Sequence, residues 1–400
     1  MIQVFAYVAL FTFSLFTVVY GIYFLLITRS SKKEEYLSFL KSCLSKKLND
    51  DELPTITILV PAYNEEKVIS SKLQNIASFA YPHDKVVVII LDDRSTDKTV
   101  EIAERMLKEL NITGQVSISQ KRGGVNASYN RIMKDTTSDL VLMTDADVMI
   151  EPDALMNGVK ILNSSQDIGG LSGAMSVKSS AHTSAVKIEN SYRQFYDQTL
   201  LDESAVDSTY PAYTCLALVR TSIWKPLNES YGSSDGNLSL SIIAQGFKFL
   251  FVPQMVFHEK VATAFKEQRR QKVRRGTRLL QSTILYSKKL FQNGRRKFTT
   301  LIFPLRFLMM TLCPIAFWVG VISLISAAFL LSPISGIILL GIFIFSILLG
   351  TRRSSKIFNL FASFVFHQVY LLLAMILAPR KAKTWKAIER NAEVLPKQAP

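Results

Sequence analysis

Residues 55–66 read TITILVPAYNEE and residues 85–99 read KVVVIILDDRSTDKT, and these two stretches decide the fold. Each opens on an uninterrupted, largely β-branched apolar run and closes on a polar, acidic cluster. Runs of that kind predict parallel strands buried on both faces. Between them Val68, Ile69, Leu73 and Ile76 recur at helical spacing after Glu65, which predicts an amphipathic helix. A second helical pattern covers Thr96–Leu110, a strand is predicted at Val116–Ser119, and KRGGVNASYNRIM (121–133) reads as a glycine loop and short helix. Another apolar strand, DLVLMT, follows at 139–144. This alternation predicts an α/β domain with a parallel, Rossmann-like sheet and right-handed crossovers.

In such sheets ligands bind beyond the carboxyl ends of the strands. The residues at those ends are Pro61, Tyr63 and Glu65, then Asp92 and Asp93, then Lys121 and Gly124, then Asp145 and Asp147. A dinucleotide fold would place G-x-G-x-x-G at the first turn, where this chain has PAYNEE. Two carboxylates in the D-x-D of Asp145-Ala146-Asp147 suit Mg2+ or Mn2+, which take oxygen ligands. An acidic turn that merely caps a helix is the alternative.

The flanks are of another kind. The chain has 400 residues, is 48% hydrophobic, and has a mean hydropathy of +0.21, too apolar for an ordinary soluble enzyme. Residues 1–28 carry no charged side chain, and Val4–Ile27 is long enough to span ~30 Å of hydrocarbon as a helix. No basic segment or small-residue cleavage site marks it as a signal peptide. Arg29, Lys32 and Lys33 follow, which by the positive-inside rule holds the next domain in the cytoplasm, the plasma membrane being the expected location. Three more apolar runs cover Phe307–Leu331, Ile334–Leu349 and Ile357–Ala378, the second of them short. Three full crossings would leave the basic tail on the far side, against the charge rule. Either one run stops short of crossing or the rule fails at this end.

The expected organisation is therefore an anchor over 1–28, a linker over 29–53, the α/β domain over 54–260, basic interface helices over 261–298, membrane helices over 299–379 and a basic tail over 380–400. Net charge is +15, and residues 266–297 hold twelve Lys or Arg against one acidic residue, Glu267. Beside a membrane such a run attracts anionic lipid headgroups, and this placement argues against nucleic acid as a partner. The three cysteines, Cys43, Cys215 and Cys313, have no metal-site or disulfide spacing.

Taken together, VPAYNE (60–65), KVVVIILDDRSTDKT (85–99), KRGGVNASYN (121–130) and DLVLMTDADV (139–148) resemble the family 2 glycosyltransferases of GT-A fold, a group that includes cellulose, hyaluronan and chitin synthases and lipid-linked sugar transferases. The resemblance implies a nucleotide-sugar donor, expected to be a UDP-sugar. Pro61, Tyr63, Glu65, Asp92, Asp93, Lys121, Gly124 and Asp145 would line its site. It implies a metal on Asp145 and Asp147, with His258 as a third ligand in some relatives, and a catalytic base at Asp235, which opens a helix in GSSDGNL (232–238). Ser234 and Asn237 stand where the family often has further acidic residues. The family motif Q-x-x-R-W reads Gln271-Lys272-Val273-Arg274-Arg275 here, so Gln271 and Arg274 are candidate diphosphate contacts and the tryptophan is lost. That loss favours an acceptor that is a membrane lipid or lipid-linked glycan. A processive polysaccharide synthase and a catalytically degenerate nucleotide-sugar-binding scaffold are the alternatives.

Overall fold

The computed structural model of the chain describes residues 1–28, 30–176, 184–211, 215–259, 265–292, 294, 296–352 and 356–380. Helix α1 (Ile2–Ile27) is followed by α2 (Ser30–Ser45). The core domain then runs β1 (Ile56–Ala62), α3 (Ile69–Ala77), β2 (Val86–Asp92), α4 (Thr99–Glu109), β3 (Gly114–Ile118), α5 (Val125–Met133) and β4 (Leu140–Thr144). It continues through β5 (Met149–Ile150), α6 (Ala154–Leu162), β6 (Ile168–Ser176), α7 (Ser184–Val206), β7 (Leu216–Arg220), α8 (Ser234–Ala244) and β8 (Lys248–His258). Helix α9 (Phe265–Gln292), a π-helical turn (Phe298–Ile302), α10 (Phe303–Leu331), α11 (Pro333–Arg352) and α12 (Lys356–Leu377) complete the described part.

The eight strands form one sheet in the order β3-β2-β1-β4-β7-β6-β8-β5. Strands β3, β2, β1 and β4 are mutually parallel, as the apolar runs predicted. Ile58, Leu59 and Val60 are fully buried at its centre, because helices cover both faces. The sheet is mixed rather than wholly parallel: β7 runs antiparallel to both β4 and β6, and β5 antiparallel to β8.

The stretch expected as a linker, 29–53, is largely the helix α2 and is seated on the domain. Tyr36, Leu40 and Cys43 recur at i, i+4 and i+7 and are buried in the main core. The Tyr36 hydroxyl donates to the Phe251 carbonyl at 2.8 Å. Phe39 and Leu44 pack against the same core, and the lysines, glutamates and serines between these residues keep the mean hydropathy of the helix low.

Among the described residues, four helical stretches are long and apolar enough to cross a membrane: Ile2–Ile27, Phe298–Leu331, Pro333–Gly350 and Ile357–Leu377. The second apolar run of the C-terminal region, short in the sequence, is a 20-residue helix that starts at Pro333. Helix α10 leaves the domain and α11 returns antiparallel to it, with Phe343 edge-on to Trp318 at 6.4 Å. Helix α12 then begins beside the C-terminal end of α11, where a Cβ on Gly350 would lie 2.1 Å from the Phe358 carbonyl oxygen. It ends on the domain: the Gln281 amide donates to Ala378 O at 2.9 Å and Arg380 O at 2.8 Å. The residues at the start of the basic tail thus contact the domain. Tail residues 381–400 lie outside the described residues.

Candidate active site

One end of the crevice is built from two loops that interlock. The Asn64 and Glu65 amides donate to the Ser95 and Thr99 hydroxyls at 2.9 and 2.8 Å, and Thr96 N donates to the Asn64 side chain at 2.8 Å. Asn64 and Arg94 hold left-handed φ of 55° and 65° to make these turns. Asp92, 1% exposed, accepts from Ser95 N. Asp93 accepts from the Gly123 and Gly124 amides at 2.9 and 3.3 Å, and so draws the third strand-end loop over the first two. Gly124 has φ of 81°, which favours glycine there. The Arg122 guanidinium lies 3.6 Å over the Tyr63 ring, a cation–π contact. Pro61, Tyr63, Glu65, Asp92, Asp93 and Gly124 are therefore together, and Lys121 is exposed on the same loop.

The acidic turn follows β4. Burial pushes the Asp145 carboxyl up to about 6, with further contributions from the charges of Asp147 and Glu259. The fully buried Lys72 of α3 fixes the base of this turn: its ammonium donates to the Thr144 hydroxyl at 2.9 Å and to Val148 O at 2.7 Å. Burial lowers its pKa to about 7, opposed by Asp145 and Asp147. One turn on, Asn75 brackets Ile150, accepting from its N and donating to its O, both at 2.8 Å.

Asp235 comes to the same space from the first turn of α8. The helix cap is Ser233, whose hydroxyl accepts from Gly236 N at 3.0 Å, so capping does not account for Asp235. Two buried groups, Tyr129 and Cys215, are held in the neutral form first by burial, then at Cys215 by Glu259, and at both by the charges of Asp145 and Asp235. The Cys215 thiol donates to Glu259 at 3.7 Å, and Glu259 pairs with Arg275 at 3.0 Å. Arg274 is exposed on α9 within electrostatic reach of Asp145 and Glu259, and Gln271 is half-buried one turn before it.

His258 faces Met149 across the β5–β8 pair. Its Nε2 contacts the Glu151 carboxylate and its Nδ1 lies 3.2 Å from the Ser176 carbonyl oxygen. The metal role expected for His258 competes with that pairing. Among the described residues no group of three or more His, Cys, Asp or Glu gathers round a common point. Two crowded carboxylates nonetheless fit Mg2+ or Mn2+, which complete their shells with phosphate oxygens and water. Sequence reasoning missed Lys72, Cys215 and Glu259. Only Lys72 left a signal, a charged residue on the apolar stripe of Ile69, Leu73 and Ile76.

A family model described as "Glycosyltransferase like family 2" matches residues 54–277. A probable glycosyltransferase of Bacillus subtilis strain 168, YdaM, is 25% identical over 246 residues, 60% of this chain and 58% of that protein. A beta-monoglucosyldiacylglycerol synthase of Nostoc sp. strain PCC 7120 is 34% identical over 110 residues, 27% of this chain and 24% of that one. A poly-beta-1,6-N-acetyl-D-glucosamine synthase of Staphylococcus aureus strain COL is 32% identical over 136 residues, 34% and 32% of the two chains. The chain thus spans 24% to 58% of the length of these curated relatives. Among solved structures, the mannosyltransferase PcManGT of Pyrobaculum calidifontis, in complex with GDP-Man and Mn2+, superposes with a TM-score of 0.71 at 22% identity, over 93% of this chain and 99% of that one. At that identity the likeness is one of fold, GT-A.

Proposed function

The chain belongs to the family 2 glycosyltransferases, and we propose that it transfers a sugar from a UDP-sugar to a hydroxyl of a lipid-linked or membrane-associated glycan, with inversion and with Mg2+ or Mn2+. The observation that carries this reading is the convergence of Asp145 and Asp235, from β4 and α8, on the same buried neighbours, Tyr129 and Cys215. Asp235 takes the proton of the acceptor hydroxyl. The freed oxygen attacks the anomeric carbon from the face opposite the diphosphate, the carbon–oxygen bond to phosphate breaks, and the nucleoside diphosphate leaves. Asp145 and Asp147 would hold the cation, which when bound offsets the charge of the leaving diphosphate. Arg274 reaches the same charge from α9. Asp92 and Asp93 hold the base and ribose end of the donor.

Arg275 stands where a stacking tryptophan would be expected and is held by Glu259 at 3.0 Å. That arrangement favours single transfer over processive polymerisation. Arg29, Lys32 and Lys33 after α1, and a tail that starts on the catalytic side, support a cytoplasmic catalytic domain at the plasma membrane.

The test is nucleotide release by the purified chain in lipid, with UDP- and GDP-sugars and Mn2+ or Mg2+, beside Asp147→Asn and Asp235→Asn. Metal-dependent release that disappears in Asp147→Asn is the expected result. Transfer that survives Asp235→Asn would remove the base assignment. Folded protein that neither binds nor turns over any donor would overturn the reading.

A further inference from the structure

Gln281 sits on α9 with 4% exposure, two turns beyond Arg274, and is engaged in two directions. Its side-chain oxygen accepts from Gly232 N at 3.1 Å, on the loop that leads into α8 and Asp235. Its amide nitrogen donates to Ala378 O at 2.9 Å and to Arg380 O at 2.8 Å, at the C-terminal end of α12. Neighbouring bonds repeat the pattern. Ser233 N donates to the Ser282 hydroxyl at 3.1 Å, and the Tyr231 hydroxyl donates to Pro379 O at 3.2 Å. Gly232 has φ of 84°, and a Cβ there would stand 2.3 Å from Asn237 Oδ1 and 2.4 Å from Ser282 Oγ. The loop therefore fits its seat in one way.

We propose that Gln281 is a positioning residue that couples the C-terminal end of α12 to the loop ahead of Asp235, so that the seat of α12 sets the geometry of the catalytic base. The proposal rests on the reading of Asp235 as that base. The physical ground is that a buried amide with one acceptor and two donor bonds leaves unpaired backbone groups on both sides when it is lost. Loop 231–233 and residues 378–380 then loosen together. A base displaced by about 1 Å costs roughly 10²-fold in rate, while the donor-binding loops on β1 and β2 are untouched.

Hydrogen exchange on the full chain in lipid nanodiscs tests this, comparing wild type with Gln281→Leu and Gln281→Glu. The glutamate keeps an acceptor for Gly232 N–H and loses both donors to α12. In Gln281→Glu, amides of 231–236 are expected to exchange about 5- to 10-fold faster, the factor one lost buried hydrogen bond gives. UDP binding with Mn2+, by calorimetry, should stay within about 2-fold, and transfer should lose kcat, not donor KM. Exchange at 231–236 that is unchanged in Gln281→Glu overturns the proposal, because the link to α12 would then carry nothing to the loop. The exchange readout does not depend on chemistry. If Asp235→Asn keeps full transfer, the base assignment fails while the exchange result still decides the coupling.

Discussion

The Arg306 guanidinium of α10 donates to the Glu203 carboxylate of α7 at 2.8 Å, and Glu203 is fully buried. The same carboxylate accepts from the Tyr23 hydroxyl of α1 at 2.6 Å and from the Thr209 hydroxyl. The guanidinium also lies 3.8 Å over the Tyr210 ring. One buried ion pair thus joins two membrane helices to the catalytic domain.

Removing one partner of such a pair leaves an uncompensated buried charge, at a cost of about 3–5 kcal/mol. Arg306→Met should lower the thermal midpoint of the detergent-solubilised chain accordingly. The double change Arg306→Met with Glu203→Leu should recover part of the loss. A single variant as stable as wild type would show that the pair does not hold the two regions together.

Lys72 and Asn75 clamp the acidic turn from beneath. Lys72→Met is expected to weaken Mn2+ binding about 10- to 100-fold, the usual effect of losing an outer-shell partner, with the fold retained. Titration followed by electron paramagnetic resonance reads this directly. An affinity equal to wild type would mean that the turn holds its own shape.

Under the proposed metal role, proton and cation would compete for Asp145, whose carboxyl is raised to about 6 chiefly by burial. For a raised carboxyl the stability contribution is complete below the unfolded value, about 4, and is lost as pH rises through 6. The metal-free chain should therefore lose stability between about pH 4 and 6, and Mn2+ should restore it. Calorimetry in buffers of different ionisation heat should detect a proton released on Mn2+ binding near pH 5.5 and none at pH 8. Binding without proton release at either pH would count against Asp145 as a ligand.

Asp167 has the opposite sign. Hydrogen bonds from Arg296, then Lys248, hold its carboxyl down at about 2. Its contribution is present above about pH 4 and disappears as pH falls toward 2. Acid unfolding of Asp167→Asn should be flatter than wild type over that window, and the two should converge below it. The effect is modest because the carboxylate is 43% exposed.

Strands β1, β2 and β4 were legible because burial on both faces demands unbroken apolar runs, and the polar clusters after them follow from where those strands end. The direction of β7 was not, since LALVR reads the same whichever way the strand points. Helix α2 escaped because a docked helix needs only a narrow apolar stripe. Gln281 escaped for a different reason: a buried glutamine is recognised by the two backbones it joins, and these are about 50 and 100 residues away in the chain (Gly232 and Ala378). Of the expected site residues, those on the strand-end loops came together. His258 met a carboxylate two positions beyond Met149, its partner in the β5–β8 register.

The return of α12 to the domain has a consequence for how the molecule lies in its bilayer. Helix α1 meets the domain at its C-terminal end, and α12 runs beside it in the same direction, with Phe364 against Phe16 and Tyr20 and the Gln368 amide on the Tyr20 hydroxyl, before it too ends on the domain. Residue 2 and residue 380 then emerge on opposite faces of the membrane. An epitope placed before α1 and one placed after Arg380 should be reached by antibody from opposite sides of a sealed vesicle.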